Sequence, residues 1–351
     1  MPAATRLSKA LERWFLRAAR DLPWRRERSA WATLVSEILL QQTQVVRVAE
    51  RFPEFMERFP DPAAMARSSV ESVLRCWRGL GYYRRARSLH AAARQIVATH
   101  GGKVPADPIA LRDLPGVGRY TAGAIASIAF GKAEPIVDGN VARVVSRLAD
   151  RRRSAVDGAG VAWTWDAATR IVQAAANPGR TNEALMELGA TVCTPVSPRC
   201  DACPLRAMCG SRKAGSQDLV PPPKPGTKRQ VVVLHGLVDV RDGAVALERR
   251  GSGLWQGLLS PPLVPGPAGM KPWALCQASG ALHVDAASAR FEFQTTHREV
   301  RFIVHAARFG KRAGLRRIRL NRLSGEAISA AALRVIRAAR QDRPQVDRLP
   351  A

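Results

Sequence analysis

The sequence predicts a mainly α-helical N-terminal domain over residues 1–211, a linker over 212–229, and an α+β domain over 230–351. Three observations carry this. Apolar residues recur at helical spacing from Leu7 to about residue 190. Cys193, Cys200, Cys203 and Cys209 follow in the pattern C-x6-C-x2-C-x5-C, the kind of spacing that closes a short loop on a metal. The Pro-, Gly- and Lys-rich run SRKAGSQDLVPPPKPGTKR then separates the helical part from short β-rich runs. A chain of 351 residues is long for one domain, so two is the default.

Composition narrows the function. With 46% hydrophobic residues the chain can build real cores. It contains no apolar run of about eighteen residues, so no membrane span is expected. Arg6, Lys9, Glu12, Arg13 and Arg17 interrupt the N-terminus, which is unlike a signal peptide, and a cytoplasmic or nucleoid-associated protein is expected. The formal charge of +26 points to a polyanionic partner with strong salt dependence. An arginine-biased proteome is the competing source of that charge. Cysteines in such a chain argue for metal or free thiols over disulfides.

Along the chain, Leu7, Leu11, Trp14, Phe15 and Ala18 share a helix face, which Leu22-Pro23-Trp24-Arg25 ends. Ser29 caps the next helix, whose buried face is Trp31, Leu34, Val35, Ile38 and Leu39. Glu37 sits among them. It is either an edge residue reaching water or a desolvated acid with a raised pKa, able to donate a proton near neutral pH. Gln41 and Gln42 end this helix, and Thr43 is a candidate cap for the one that follows. Residues 44–100 continue as amphipathic helices. Within them Trp77 to Arg87 combines aromatics, glycines and clustered arginine, which suits stacking against bases with phosphate contacts, or a core tyrosine beside a solvated basic turn.

Leu114-Pro115-Gly116-Val117-Gly118 is a hairpin ahead of a helix marked by Ala122, Ile125, Ile128 and Ala129. Its glycines let backbone N–H groups approach an anion at a helix N-terminus. No Walker lysine follows, so a nucleic-acid phosphate fits better than a nucleoside triphosphate. A tight helix–helix turn is the alternative. Asp138 and Asn140 head another helix, Arg151-Arg152-Arg153 makes a basic turn, and residues 161–190 form two more helices containing Glu183. Zinc sites more often use two C-x2-C knuckles, so the single knuckle at Cys200 favours iron–sulfur. Cys76 and Cys276 stand alone and read as packed thiols. The runs VVVLHGLVDV, AVALERR, ARFEF and VRFIVHAARF are strands, and Val335 and Ile336 lie in a closing helix.

LPGVGRYTAGAIASIAFG followed by VDGNVARV resembles the helix-hairpin-helix and catalytic-Asp segment of the endonuclease III superfamily, nearest its adenine DNA glycosylase (MutY-type) branch. SEILLQQTQV is similar to the segment that supplies the family's general acid, at Glu37, and its DNA wedge, at Gln42. GLGYY is similar to the element whose first tyrosine, Tyr82, wedges into the stack. The resemblance places Trp24, Arg25 and Glu183 at the adenine pocket. Leu114, Gly116, Val117 and Gly118 would grip DNA, with room for a monovalent cation at the hairpin. Asp138, held by Asn140, would stabilise the sugar cation, and the four cysteines would ligate a [4Fe–4S] cluster. Residues 230–345 resemble, more thinly, the MutT/Nudix-like domain of these enzymes. GSGLWQGLLSPP is similar to their SGLWGGLW-type loop, with Gln256 in place of Gly. No acidic Nudix box is present, so diphosphate hydrolysis is not expected. The family's lesion-reading Phe-Ser-His becomes Thr295-Thr296-His297, with the aromatic lost.

The resemblance implies hydrolysis of the N-glycosidic bond of adenine mispaired with 8-oxoguanine or guanine in double-stranded DNA. The chain would act as a monomer, with replication or repair proteins as partners. Tyr120 stands where lyase-active relatives carry lysine, which implies a monofunctional enzyme. Another superfamily glycosylase, acting on thymine mismatches or oxidised pyrimidines, and a non-catalytic DNA-binding iron–sulfur protein are the alternatives.

Overall fold

The computed structural model describes residues 3–155, 157–222, 229–312 and 314–341; linker residues 223–228 and the tail at 342–351 lie outside the described residues. Contacts divide the chain into two units, Met1–Ser68 with Ser88–Pro225, and Ser69–Arg87 with Gly226–Ala351.

The first unit is helical. Leu7, Leu11 and Phe15 of helix Ala4–Ala18 pack with Val141, Val144 and Val145 of helix Gly139–Leu148, with Ala167 and Ile171 of helix Gly158–Gln173, and with Ala184, Leu185 and Leu188 of helix Pro178–Thr191. Every residue from Trp31 to Leu39 in helix Ala30–Leu40 is buried, so this helix has no solvent face, where periodicity suggests only one buried stripe. Ser29 caps it by accepting from the Ala32 N–H, as expected. Thr43 does not cap the next helix: Val45–Arg58 begins after Gln44, with no side-chain cap. Leu22-Pro23-Trp24-Arg25 is more than a terminator, since Pro23–Arg26 forms one helical turn, with proline at its first position. The start of the stretch read as linker is ordered too. Gly210–Ala214 is a short helix closed by Gly215 at φ 64°.

Among its described residues the second unit holds eight strands: β1 Gln230–Val238, β2 Val240–Arg241, β3 Ala244–Arg249, β4 Leu259–Ser260, β5 Leu263–Pro265, β6 His283–Gln294, β7 Arg298–Arg308 and β8 Leu315–Arg319. One sheet runs β5-β1-β7-β6, with β1 and β7 parallel and the other pairs antiparallel. The second has β2, β4 and β8 all pairing with β3. Val300, Phe302 and Val304 of β7 and Val245 and Leu247 of β3 pack with Val335 and Ile336 of helix Ala330–Gln341. The short strands β4, β5 and β8 and helix Pro272–Ser279 carry too few residues to declare a period and escape a sequence reading.

One packing detail positions the functional residues. Gly189 lets helices Pro178–Thr191 and Gly139–Leu148 touch, because a Cβ there would stand 2.6 Å from Asn140 Cβ. Gly189→Ala should destabilise the protein by about 1–3 kcal/mol through overpacking, read as a lower urea midpoint.

Candidate active site

A cavity of about 270 Å³ in the first unit gathers Trp24, Arg25, Glu37, Tyr120, Asp138, Asn140 and Glu183, seven residues singled out from sequence. It also brings in residues that the sequence reading missed: Arg20, Arg28, Met186 and Glu187. Glu183 and Glu187, four apart on one helix, were the available signal for the second acid.

The acids here are held in different ways. Glu187 is 1% exposed. Arg20 Nε and Nη2 donate to it at 2.6 and 3.0 Å, and Arg25 Nη2 at 2.9 Å. Burial opposes its charge, but the hydrogen bonds from Arg20 and Arg25 outweigh burial and hold its pKa below the usual range. Glu183 accepts from Arg25 Nε at 3.3 Å and Arg28 Nη1 at 2.8 Å. Asp138 heads helix Gly139–Leu148, where its Oδ1 accepts from the Val141 N–H at 2.7 Å and its Oδ2 from Asn140 Nδ2 at 3.0 Å.

Glu37 has no cation against it among the described residues and is 6% exposed. Burial pushes its pKa up to about 7, a hydrogen bond from Tyr120 moderates the rise, and the charges of Glu183 and Asp138 add to it. The Tyr120 hydroxyl also lies 2.9 Å from Met186 Sδ. A carboxylate is far the better acceptor, so the hydroxyl proton turns to Glu37 when that group is charged. Burial and the charges of Glu37 and Asp138 raise the Tyr120 pKa well above its ordinary value, so the phenol stays neutral.

Around the cavity, Gln42 is exposed in the left-handed region at φ 55°. In the hairpin, Leu114 and Val117 are buried, so only their backbone can face a ligand, while Gly116 and Gly118 are exposed. Gly116 takes φ 84° against Ser88, and Gly118 heads helix Arg119–Ile128. Arg119 stacks its guanidinium 3.8 Å from the Trp165 ring centroid.

Tyr82 belongs to the second unit and is 38% exposed at φ 45°. So do Thr295, Thr296 and His297, in the turn between β6 and β7. The Thr295 hydroxyl is occupied by that turn, donating to Arg298 O and accepting from Arg298 N–H, while Thr296 and His297 are exposed. Two residues before this turn, Phe293 packs edge-on to Trp255, which also stacks on Phe302.

The four cysteines form their own centre. Donors aim at the sulfurs: Arg147 Nη1 lies 3.4 Å from Cys193 Sγ, the Leu205 N–H 3.4 Å from Cys203 Sγ, and Gln217 Nε2 3.8 Å from Cys200 Sγ. Burial first, then the other three thiols, pushes Cys203 up to about 11, so the four interact. Yet among the described residues no three His, Cys, Asp or Glu side chains close on a single ion. Four thiols near enough to interact, with donors on their sulfurs, suit a four-thiolate metal or iron–sulfur centre. Arg143, also missed from sequence, ties this loop to the cavity: it donates to Asn140 Oδ1 at 2.7 Å, Gly189 O at 2.8 Å and Cys193 O at 2.7 Å.

Two acids, Glu37 and Asp138, in one cavity, with a helix-hairpin-helix turn and a four-cysteine loop in the same unit, are the arrangement of a base-excision DNA repair protein of the helix-hairpin-helix type. Residues 35–155 match the HhH-GPD superfamily of base excision DNA repair proteins, and residues 193–209, the stretch that runs from Cys193 through Cys200 and Cys203 to Cys209, match the iron-sulfur binding domain of endonuclease III. A thermostable thymine-DNA glycosylase aligns over 60% of this chain and 97% of its own at TM-score 0.54 and 26% identity. A non-covalent endonuclease III–DNA complex aligns over 62% and 100% at TM-score 0.51 and 25% identity.

Among curated relatives, the adenine DNA glycosylase of Mycolicibacterium smegmatis is 47% identical over 58% of this chain and 68% of its own. That of Mycobacterium tuberculosis (strain H37Rv) is 44% identical over 62% and 73%. The chain belongs to the adenine DNA glycosylase family. It spans about two-fifths of the length of the human relative, to which it is 45% identical over 58% of this chain and 39% of that one.

The raised Glu37 pKa has a stability consequence. The folded protein resists ionising Glu37 until about pH 7, whereas the unfolded chain ionises it from about 4.5. Stability is therefore lost as pH rises through that window and stays lost above it. Glu37→Gln should match wild type in urea unfolding at pH 4.5 and exceed it by about 1–3 kcal/mol above pH 7.

Proposed function

We propose that this protein hydrolyses the N-glycosidic bond of adenine mispaired with 8-oxoguanine or guanine in duplex DNA, without strand cleavage. The observation that carries the reading is Glu37: a buried acid with no cation against it among the described residues, its pKa pushed up to about 7, in one cavity with a second acid fixed at a helix N-terminus.

Adenine has to leave the duplex to be reached. The exposed Gln42 and Tyr82 are suited to filling the gap, and the hairpin N–H groups of residues 116–118 to holding a phosphate. Inside the cavity, protonated Glu37 donates to the adenine ring, which makes the base a better leaving group. Positive charge then develops on the sugar, as in glycoside hydrolysis. Asp138, whose two oxygens are each fixed by a hydrogen bond, faces that charge without moving. Glu37, now a carboxylate, accepts a proton from the attacking water, while Tyr120 steadies it by hydrogen bonding. Thr296 and His297 offer a hydroxyl and an imidazole to the opposite purine. When bound, the cluster staples the loop that Arg143 joins to Asn140.

Single-turnover assays on 8-oxoguanine:A, G:A and G:T duplexes check the reading: base release is expected from the first two only. Glu37→Gln and Asp138→Asn should abolish release and keep binding, and near-wild-type rates in either would be fatal. Above pH 7 the wild-type rate should fall by about tenfold per pH unit as Glu37 loses its proton.

Tyr120 has no amine, so borohydride should trap no covalent enzyme–DNA complex. Efficient trapping would overturn the monofunctional assignment.

A further inference from the structure

Helix Gly139–Leu148 has a cavity at each end. Asp138 at its N-terminus lines the one described above. At its C-terminus a second, wider cavity of about 960 Å³ is lined by Asp150, Arg151, Arg152, Arg153, Trp163 and Arg170. Ten residues at 1.5 Å each set the two ends about 15 Å apart. No step of the proposed chemistry uses the second cavity.

Its charge is unbalanced. Four guanidinium groups face one carboxylate, and that carboxylate is committed: Asp150 Oδ1 accepts from Ser211 Oγ at 3.1 Å and from Ser216 Oγ, and Oδ2 lies 3.3 Å from Arg152 Nη2. Arg170 pairs with Asp166 at 2.8 Å. Arg151 lies against Trp163, 4.8 Å from the ring centroid, and donates to Ser154 O at 2.9 Å. Arg152 and Arg153 are exposed, and Arg153 pairs with nothing among the described residues. Three successive arginines repel one another unless an anion lies among them. The space is too wide and too many-sided for one carboxylate. Charge combined with an aromatic wall is the arrangement that follows a nucleic-acid backbone.

We propose that this cavity is a second phosphodiester-binding site, separate from the hairpin and the catalytic cavity. Its ligand is the backbone of flanking DNA or of a second DNA segment. It gives the basic charge of the chain a location and a use in holding undamaged DNA.

The test is the salt dependence of full-chain binding to undamaged duplex. Arg152→Ala with Arg153→Ala should lower the slope of log K against log salt by about 1.8, since each neutralised phosphate contributes about 0.9. Lysine at both positions should restore it. Single-turnover excision by saturating enzyme should not change, so failure here and failure of the glycosylase reading are distinguishable. Arg67→Ala with Arg94→Ala removes the same charge from exposed sites elsewhere. An equal fall in slope in that variant would make the effect one of bulk charge and overturn the proposal, as would an unchanged slope in the Arg152/Arg153 variant. A loss confined to long duplexes identifies flanking DNA. Loss of competitor-stimulated transfer between duplexes identifies a second segment. A polyglutamate chain that binds more tightly than DNA, and loses that binding in the variant, would instead assign the cavity to acidic protein.

Discussion

Four carboxyl groups, Glu37, Asp138, Glu183 and Glu187, line one space of about 270 Å³, and keeping them there is the electrostatic problem that the surrounding structure solves. Like charges at such range cannot all ionise without compensation. Arg20, Arg25 and Arg28 neutralise Glu183 and Glu187 with charge-assisted hydrogen bonds. A helix N-terminus and the Asn140 amide hold Asp138. Among the described residues no cation is set against Glu37, and burial pushes its pKa up to about 7. An acid with a raised pKa facing a second carboxyl group fixed at a helix N-terminus suits protonation of a leaving group opposite a developing cation. Burial is the main cause of the raised Glu37 pKa, and the neighbouring Glu183 and Asp138 add to it.

The four-cysteine loop belongs to the same arrangement. Asp138 is fixed by Asn140, Asn140 by Arg143, and Arg143 by the carbonyl oxygens of Gly189 and Cys193. Arg147, one turn further on, is 3% exposed and donates to the carbonyls of Thr194, Pro195 and Val220. A guanidinium makes several fixed hydrogen bonds in one plane, which suits it to joining a helix to an irregular loop. Cluster ligation by the cysteines of this loop would act on Asp138 by holding these carbonyls still.

How much of this was legible in the sequence depended on whether a residue acts locally or across the fold. The helices around Leu7, Ile38 and Ile171 announce themselves by period, and the cysteine loop by spacing. Glu37, Asp138 and Tyr120 were reached through local motifs. Arg20, Arg28, Glu187 and Arg143 were not, because each matters through a partner that only the fold supplies. The Arg20–Glu187 pair spans 167 residues. The total burial of helix Ala30–Leu40 was hidden for a similar reason: period reports one face, and which elements cover the other is a tertiary fact. Thr43 has the chemistry of a cap, but the chain turns one residue later, at Gln44.

Backbone strain adds an independent argument about Gln42 and Tyr82. Both take left-handed φ values, 55° and 45°, that neither side chain favours. Such conformations cost on the order of 1–3 kcal/mol and persist only where the surroundings impose them. At Tyr82 the imposing group is identifiable. Arg85 Nη2 donates to the carbonyls of Leu80 and Gly81, while its guanidinium lies 5.2 Å from the Trp77 ring and 5.6 Å from the Tyr82 ring. Burial lowers its pKa to about 10, which leaves it charged at neutral pH. Gly79 and Gly81 take φ 89° and 69° on the approach, so the turn uses glycine where direction is free and tyrosine where it is not. A glycine or asparagine would relieve the strain, at 42 for an exposed side chain and at 82 with loss of the ring's contact with Arg85. That glutamine and tyrosine stand there instead argues that the side chains, and the direction in which the backbone presents them, are what the strain maintains.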